Sequence, residues 1–408
     1  MTAPSAPPSR GARLAGPSRL VGVDAARGLA LLGMVATHVL SLEVYDADGF
    51  ATGPSTTALV AAGRASALFA VLAGVSLALA NGGSRAPVGP GLARDRRGVA
   101  ARAGVVALVG LLVGSFGAPV AVILVNYALL FLAVLPVLGW GPRRLVPLGA
   151  AWLLVVPVLL HPLRDALVGS GALPLSPGSS PSFTSLAEPC VLLGQLLLTG
   201  YYPVLSWTGF VLLGLGVGRL DLRRSATAGA VALAGLAAAL GAWAASAALL
   251  PRARPSLDVP LGFPLSGGEL ATSLETGLYG TTPTTSWWWL AVDAPHSGTP
   301  PDMVGVAGSA LAVLGVALLV ARVARPVVWP FAATGSMTLT LYSLHVFSLA
   351  VIAVYEYGGG APPPEGPLYA AQVVGLLLVG GLWQLTGLRG PLEGLVASAS
   401  RAARGPAR

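Results

Sequence analysis

The sequence predicts an all-α, polytopic integral membrane protein with about ten transmembrane helices and both termini cytoplasmic. Three observations carry this. Hydrophobic residues make up 54% of the 408-residue chain and charged residues 10%, against about 25% charge in a typical soluble domain. No soluble fold hides that much apolar surface. Apolar windows of about 20 residues, the length that crosses a bilayer, recur along the chain. The basic residues are all Arg, and they cluster on one side of those windows.

The windows fall near 20–41, 58–80, 100–117, 119–139, 145–161, 201–218, 225–250, 303–321, 328–355 and 368–386. With the N-terminus in the cytoplasm, Arg164, Arg252 and Arg254 lie outside and Arg27 and Arg64 lie within spans. The other 19 of the 24 Arg fall on the cytoplasmic side, in runs such as "ARDRRG" (93–98), "PRR" (142–144) and "RLDLRR" (219–224). This asymmetry accounts for the pI of about 10.2 without any nucleic-acid partner. A single cysteine, Cys190, excludes an internal disulfide and a Cys-based metal site.

Residues 1–18, rich in Pro, Ser and Arg, read as a disordered cytoplasmic tail. The next apolar run is long and is interrupted by Asp24 and Arg27, which suits an uncleaved first helix better than a signal peptide. Residues 19–395 read as one transmembrane domain and 396–408 as a basic cytoplasmic tail. The stretch "LAEPCVLLGQLLLTG" (186–200) reads as an amphipathic or re-entrant piece before the sixth span. The window 328–355 is long for one span, and Gly335 near its start suggests a bend or break. Gly214 and Gly218 in "GLGVGRL" suit close helix packing. In the outer loop, about 251–302, three consecutive Trp (287–289) read as interfacial anchors.

The polar residues inside spans carry the functional signal. "VGVDAARGLALLGMVATHV" (21–39) places an Asp, an Arg and a His in an apolar helix, where a mid-bilayer charge costs roughly 2.5–3.5 kcal/mol. Arg27 and His38 are 11 positions apart, which returns them to within roughly 20° of one face and separates them by about 16 Å. Asp24 sits one turn further in. The stripe therefore faces a cavity or the bundle interior rather than lipid. Arg64 of "AAGRASALFAVLAGVSLAL", Asn126 of "ILVNYALLF" and His345 of "LTLYSLHVF" fall at depths close to that of His38, so four helices can bring hydrogen-bonding groups together.

Each residue also has a plainer reading. Asp24–Arg27 suits a packing ion pair, His38 a buried structural imidazole and Arg64 a snorkelling side chain. His161, before Pro162, reads as interfacial. His296 stands beside the outer mouth, where it can meet a substrate. A protected neutral imidazole suits a general base or nucleophile, and an Arg near the cytoplasmic entrance suits phosphates. A proton relay in a secondary transporter uses the same residues, but the inverted halves common in transporters are not evident.

The opening "RLVGVDAARGLALLGMVATH" (19–38) resembles that of the heparan-α-glucosaminide N-acetyltransferase family. It also resembles the wider group of membrane acyltransferases that decorate bacterial surface glycans, which carry an Arg, ten residues and a His in the first helix. The stretches "ALFAVLAGVSLAL" (67–79), "GYYPVLSWTGFVLLGLGVGRLDL" (200–222), "TGSMTLTLYSLHV" (334–346) and "GPLEGL" (390–395) look like bacterial members as well. The resemblance implies acyl transfer from cytoplasmic acetyl-CoA or another acyl-CoA to an extracytoplasmic acceptor such as an amino sugar or glycan. It implies a cell-membrane enzyme without a metal, and allows a homodimer. It casts His38 as the catalytic imidazole and Arg27 as helping to hold the donor. By their depth and position in the chain, Arg64 and His345 are read as further catalytic candidates, Asp24 as the donor-side partner of Arg27, and His296 and Asn126 as acceptor-side candidates. The lysosomal member carries its active His in the loop after the first helix. Residues 42–57 contain no His, so His38 is the candidate here.

Overall fold

The computed structural model describes residues 20–173, 180–260, 262–263, 265 and 270–406. The N-terminal tail expected over 1–18 lies outside them. Helices dominate: α1 Val21–Val39, α2 Thr56–Ala61, α3 Arg64–Ala80, α4 Gly89–Gly114, α5 Leu124–Ala133, α6 Pro142–Gly169, α7 Pro189–Gly194 and α8 Val204–Gly218. They continue with α9 Ser225–Ala253, α10 Leu270–Thr276, α11 Pro300–Val323, α12 Arg325–Gly335, α13 Thr338–Tyr357, α14 Glu365–Leu385 and α15 Pro391–Arg404. A two-stranded hairpin, β1 Glu43–Tyr45 and β2 Ala51–Pro54, follows α1.

Among the described residues, seven helices or helix pairs are long and apolar enough to cross a membrane: α2–α3, α4, α6, α9, α11, α13 and α14. An eighth is the pair α7–α8, bent by 53° at residues 200–203. The bend supports the reading of 186–200 as a separate piece before the sixth span. α7 runs into a π-helical turn, Gln195–Thr199, and Pro203 then starts α8 in a new direction. α1 falls short of the apolar threshold because it carries Asp24, Arg27 and His38, and α5 has only ten residues. The window 328–355 is broken: α12 ends at Gly335 and α13 begins at Thr338.

Small residues set the packing. A Cβ on Gly218 would lie 2.6 Å from the Ala78 side chain, and one on Gly214 would collide with the Val71 carbonyl, so α8 meets α3 backbone to backbone. Gly28 of α1 is pressed in the same way against Phe331 of α12, and Gly335 against Asp24 and Gly28. Gly335 thus serves close approach as well as ending a helix. Without a solvent-driven hydrophobic term between helices in lipid, such close packing supplies much of the association energy.

Arg219, which is 2% exposed, ties the end of α8 to the turn after α3 and the stretch after α5. Its guanidinium donates to the carbonyls of Ala78, Asn81, Gly83 and Leu138 at 3.3, 2.7, 2.8 and 2.7 Å. A cation is favourable where helices end in unsatisfied carbonyls. α15 lies along α4, with Arg404 reaching Asp95 at 3.3 Å and Asn81 Oδ1 at 2.7 Å. The boundary expected at 395 falls inside this helix.

A second small core, between α9 and α11, is built of Ala253, Leu257, Phe263, Leu278, Trp289, Ala291, Val292 and Ala294. Trp289 is fully buried there, and its indole N–H donates to the Asp258 carbonyl and Thr285 Oγ1. The reading of all three Trp as interfacial anchors is therefore corrected. Only Trp287 and Trp288 are exposed.

Candidate active site

His38 and His345 meet across the bundle. His38 Nδ1 lies 3.0 Å from His345 Nε2. The ring planes differ by 5° and the centroids are 5.3 Å apart. Near-parallel planes with nitrogens that close and centroids that far apart place the rings end to end in one plane, not face to face. That is the alignment an N–H···N hydrogen bond prefers. Behind the pair, His345 Nδ1 donates to Oε1 of Gln372 on α14.

His38 lines a cavity of about 720 Å³ in company with Met34, Thr37, Ser66, Asn126, Tyr201, Tyr202, Tyr279 and His296. Its volume falls in the range that holds small-molecule ligands, about 300–1,000 Å³. Several elements build it. α1 supplies Thr37 and His38 from its last turn. The break between α2 and α3, at Gly63 with φ +69°, opens Ala61–Gly63 towards it. A residue with a side chain is strained at that φ, and a Cβ there would also approach Pro295 at 3.4 Å.

His296 belongs to this cavity although it comes from the segment between α10 and α11. It adopts φ +58° and stands 4.5 Å, ring to ring, from Tyr201. Burial holds its imidazole well below the usual histidine range, at about 4, so it is neutral at physiological pH. Asn126 also lines the cavity, with Nδ2 donating to the Tyr202 carbonyl at 2.9 Å. That bond fixes the Tyr201–Tyr202 bend where α7 gives way to α8.

Arg64 and the inner pair lie elsewhere. Arg64 is not among the cavity residues; its charge lies within electrostatic reach of Asp293 and Asp302. Asp302 Oδ2 in turn accepts from the Gly298 amide at 2.9 Å. Arg27 donates to Asp24 Oδ1 at 3.1 Å and to Ser76 Oγ. It keeps a quarter of its side chain exposed and has Arg102 of α4 within electrostatic reach. His161, read from the sequence as interfacial, is buried and packs on Trp287, ring centroids 5.0 Å apart.

Sequence reasoning did not single out Gln372, Tyr201, Tyr202 or Tyr279. Gln372 carried the same signal as His345: a lone polar side chain in an apolar span, "YAAQVVGLLLV" (369–379). The tyrosines had no such mark, because Tyr is ordinary at membrane interfaces.

A multi-pass helical membrane protein whose polar residues gather at a histidine-lined cavity is the class that these features define. The catalytic-domain family of heparan-alpha-glucosaminide N-acetyltransferase matches residues 19–249, more than half of the chain, and the chain belongs to that family. No curated protein matches it. The matched span holds Asp24, Arg27, His38, Arg64 and Asn126. His296, His345 and Gln372 come from the remainder, so the histidine pair joins the matched and unmatched parts of the chain.

Proposed function

We propose that this protein moves an acetyl or other acyl group from cytoplasmic acyl-coenzyme A to an amino or hydroxyl group of an extracytoplasmic acceptor, an amino sugar or another glycan unit. The observation that carries the reading is the His38–His345 pair at the wall of the cavity. His38 Nδ1 is engaged, which leaves Nε2 as the ring nitrogen that can work on a substrate. Nε2 takes the proton from the acceptor N–H or O–H as that atom attacks the thioester carbonyl. The C–S bond breaks and the new C–N or C–O bond forms. The proton then passes to the leaving thiolate, giving free coenzyme A and acylated acceptor.

Arg27, steadied by Asp24 and Ser76, is the donor-side residue; its guanidinium suits the anionic head of the donor. About 16 Å of helix separates it from His38, a span that an extended thioester arm bridges. His296 and Asn126 line the acceptor side. Arg64 supports that side through the Asp293–Asp302 segment that carries His296. Counting α1 and α5 as short crossings and α12–α13 as one broken crossing gives ten spans, with both termini in the cytoplasm of a bacterial cell. Membership of an acetyltransferase family weighs against a transporter relay.

The test is binding and turnover of radiolabelled acetyl-coenzyme A by purified protein. His38→Ala is expected to abolish hydrolysis or transfer while retaining donor binding, and Arg27→Ala to weaken binding. A wild-type protein that binds no acyl-coenzyme A of any chain length overturns the donor assignment.

A further inference from the structure

We propose that Gln372 is a positioning residue that sets the tautomer of His38 through His345, so that the bare nitrogen of His38 is the one available to the cavity. The inference rests on the reading of His38 as the base.

A neutral imidazole carries one N–H and one lone pair, so fixing a proton on one ring nitrogen bares the other. Gln372 Oε1 is an acceptor against His345 Nδ1. The proton of His345 therefore sits on Nδ1, and its Nε2 is bare. That Nε2 lies 3.0 Å from His38 Nδ1, so His38 must supply the proton for this bond from Nδ1. His38 Nε2 is then the lone pair on the ring that lines the cavity.

The proton positions reverse if the amide turns over. An N–H of Gln372 against His345 Nδ1 would move each proton to the other ring nitrogen. His38 would then present Nε2–H to the cavity, a donor in place of a base. One side-chain amide on α14 thus decides what a ring on α1 can do. The Gln372 amide nitrogen makes no hydrogen bond among the described residues, so the imidazole is the polar contact that holds this side chain. The coplanar, end-to-end rings are the geometry through which such an instruction passes, since the His38 N–H lies in the plane of the His345 lone pair.

The chain has four histidines, few enough to resolve in full-length protein labelled with nitrogen-15 histidine and placed in lipid nanodiscs. A His38→Ala variant assigns the signal. His38 is expected to show a protonated Nδ1 and a bare Nε2 in the wild type. Gln372→Met, similar in length but without an acceptor, should give mixed tautomers. Its turnover should fall by about 10- to 100-fold, the usual worth of an outer partner that orients a working histidine, with the KM for acetyl-coenzyme A unchanged. Gln372→Glu restores an acceptor and should recover both tautomer and turnover. A wild-type His38 protonated on Nε2, or a tautomer unmoved in Gln372→Met, overturns the inference. The wild-type measurement needs no variant to fold. Tautomers that behave as expected in a protein without acyl transfer would uphold the relay and defeat the acyltransferase reading.

Discussion

The indole of Trp207 and the imidazole of His296 lie nearly parallel, with 8° between their planes and 6.3 Å between centroids. Trp207 is on α8 and His296 on the segment between α10 and α11, so the contact joins an apolar helix to a non-helical segment. With Tyr201 and Tyr202 also against it, the ring is half-buried among aromatic side chains.

That burial makes His296 a source of pH-dependent stability. Its ordinary value of 6.5 applies in the unfolded chain, and in the folded protein it is held at about 4. Between those values the unfolded chain binds more protons, so the contribution is fully present above about pH 6.5. It is lost as the pH falls towards 4. At most it amounts to about 3 kcal/mol. Asn tolerates the positive φ of this position and does not titrate. Thermal unfolding in detergent should therefore fall less steeply between pH 6.5 and 4 in His296→Asn than in the wild type.

Burial also separates the three consecutive tryptophans. Trp289→Ala removes a fully buried side chain and its bonds to Asp258 and Thr285, and should destabilise by about 3–5 kcal/mol. Trp287→Ala, at a ring 59% exposed, should shift the melting temperature far less. Equal shifts would mean that the second small core does not depend on Trp289.

Around Arg219 the comparison is among arginines of one run. Arg219→Met removes donors to four backbone carbonyls drawn from two stretches of the chain, 78–83 and Leu138, and should cost at least about 2 kcal/mol. Arg224→Met, at an exposed position, should cost little. The melting temperatures of the two variants in detergent check the contrast.

The arginine comparison shows where sequence patterning stops being informative. Side preference placed the whole "RLDLRR" run at the cytoplasmic face, because it depends on composition near span ends. Whether a given Arg meets water or four carbonyls depends on which helix ends gather around it, and that is lateral information. His38 and His345 were legible for the opposite reason. Depth follows from position along a helix, and two imidazoles at one depth are conspicuous. Arg64 shared their depth, but its charge lies by Asp293 and Asp302, a segment whose path no periodicity reveals. The break between α12 and α13 was half legible: the window was too long, and Gly335 marked its place. Its partner, the Asp24–Gly28 stretch of α1, was not visible.

That partnership gives the last prediction. A Cβ on Gly335 would collide with the Asp24 carbonyl and lie 2.7 Å from the Gly28 nitrogen. Both are backbone atoms of a helix that cannot yield locally. In Gly335→Ala, α1 has to move as a unit, at a cost of about 1–3 kcal/mol for overpacking. Because α1 carries both Arg27 and His38, the displacement reaches the donor side and the cavity together. A shift of about 1 Å at His38 relative to His345 is enough to reduce turnover by about 10²-fold. The control is Gly375→Ala on α14, where nothing lies within 4 Å of the added methyl. There the higher helix propensity of Ala, up to about 1 kcal/mol, should leave stability unchanged or raised. Acetyl-coenzyme A turnover and melting temperature, measured on both variants, separate the outcomes. Loss in Gly335→Ala alone ties the α1–α12 contact to the placement of His38, and equal behaviour of the two variants refutes that link.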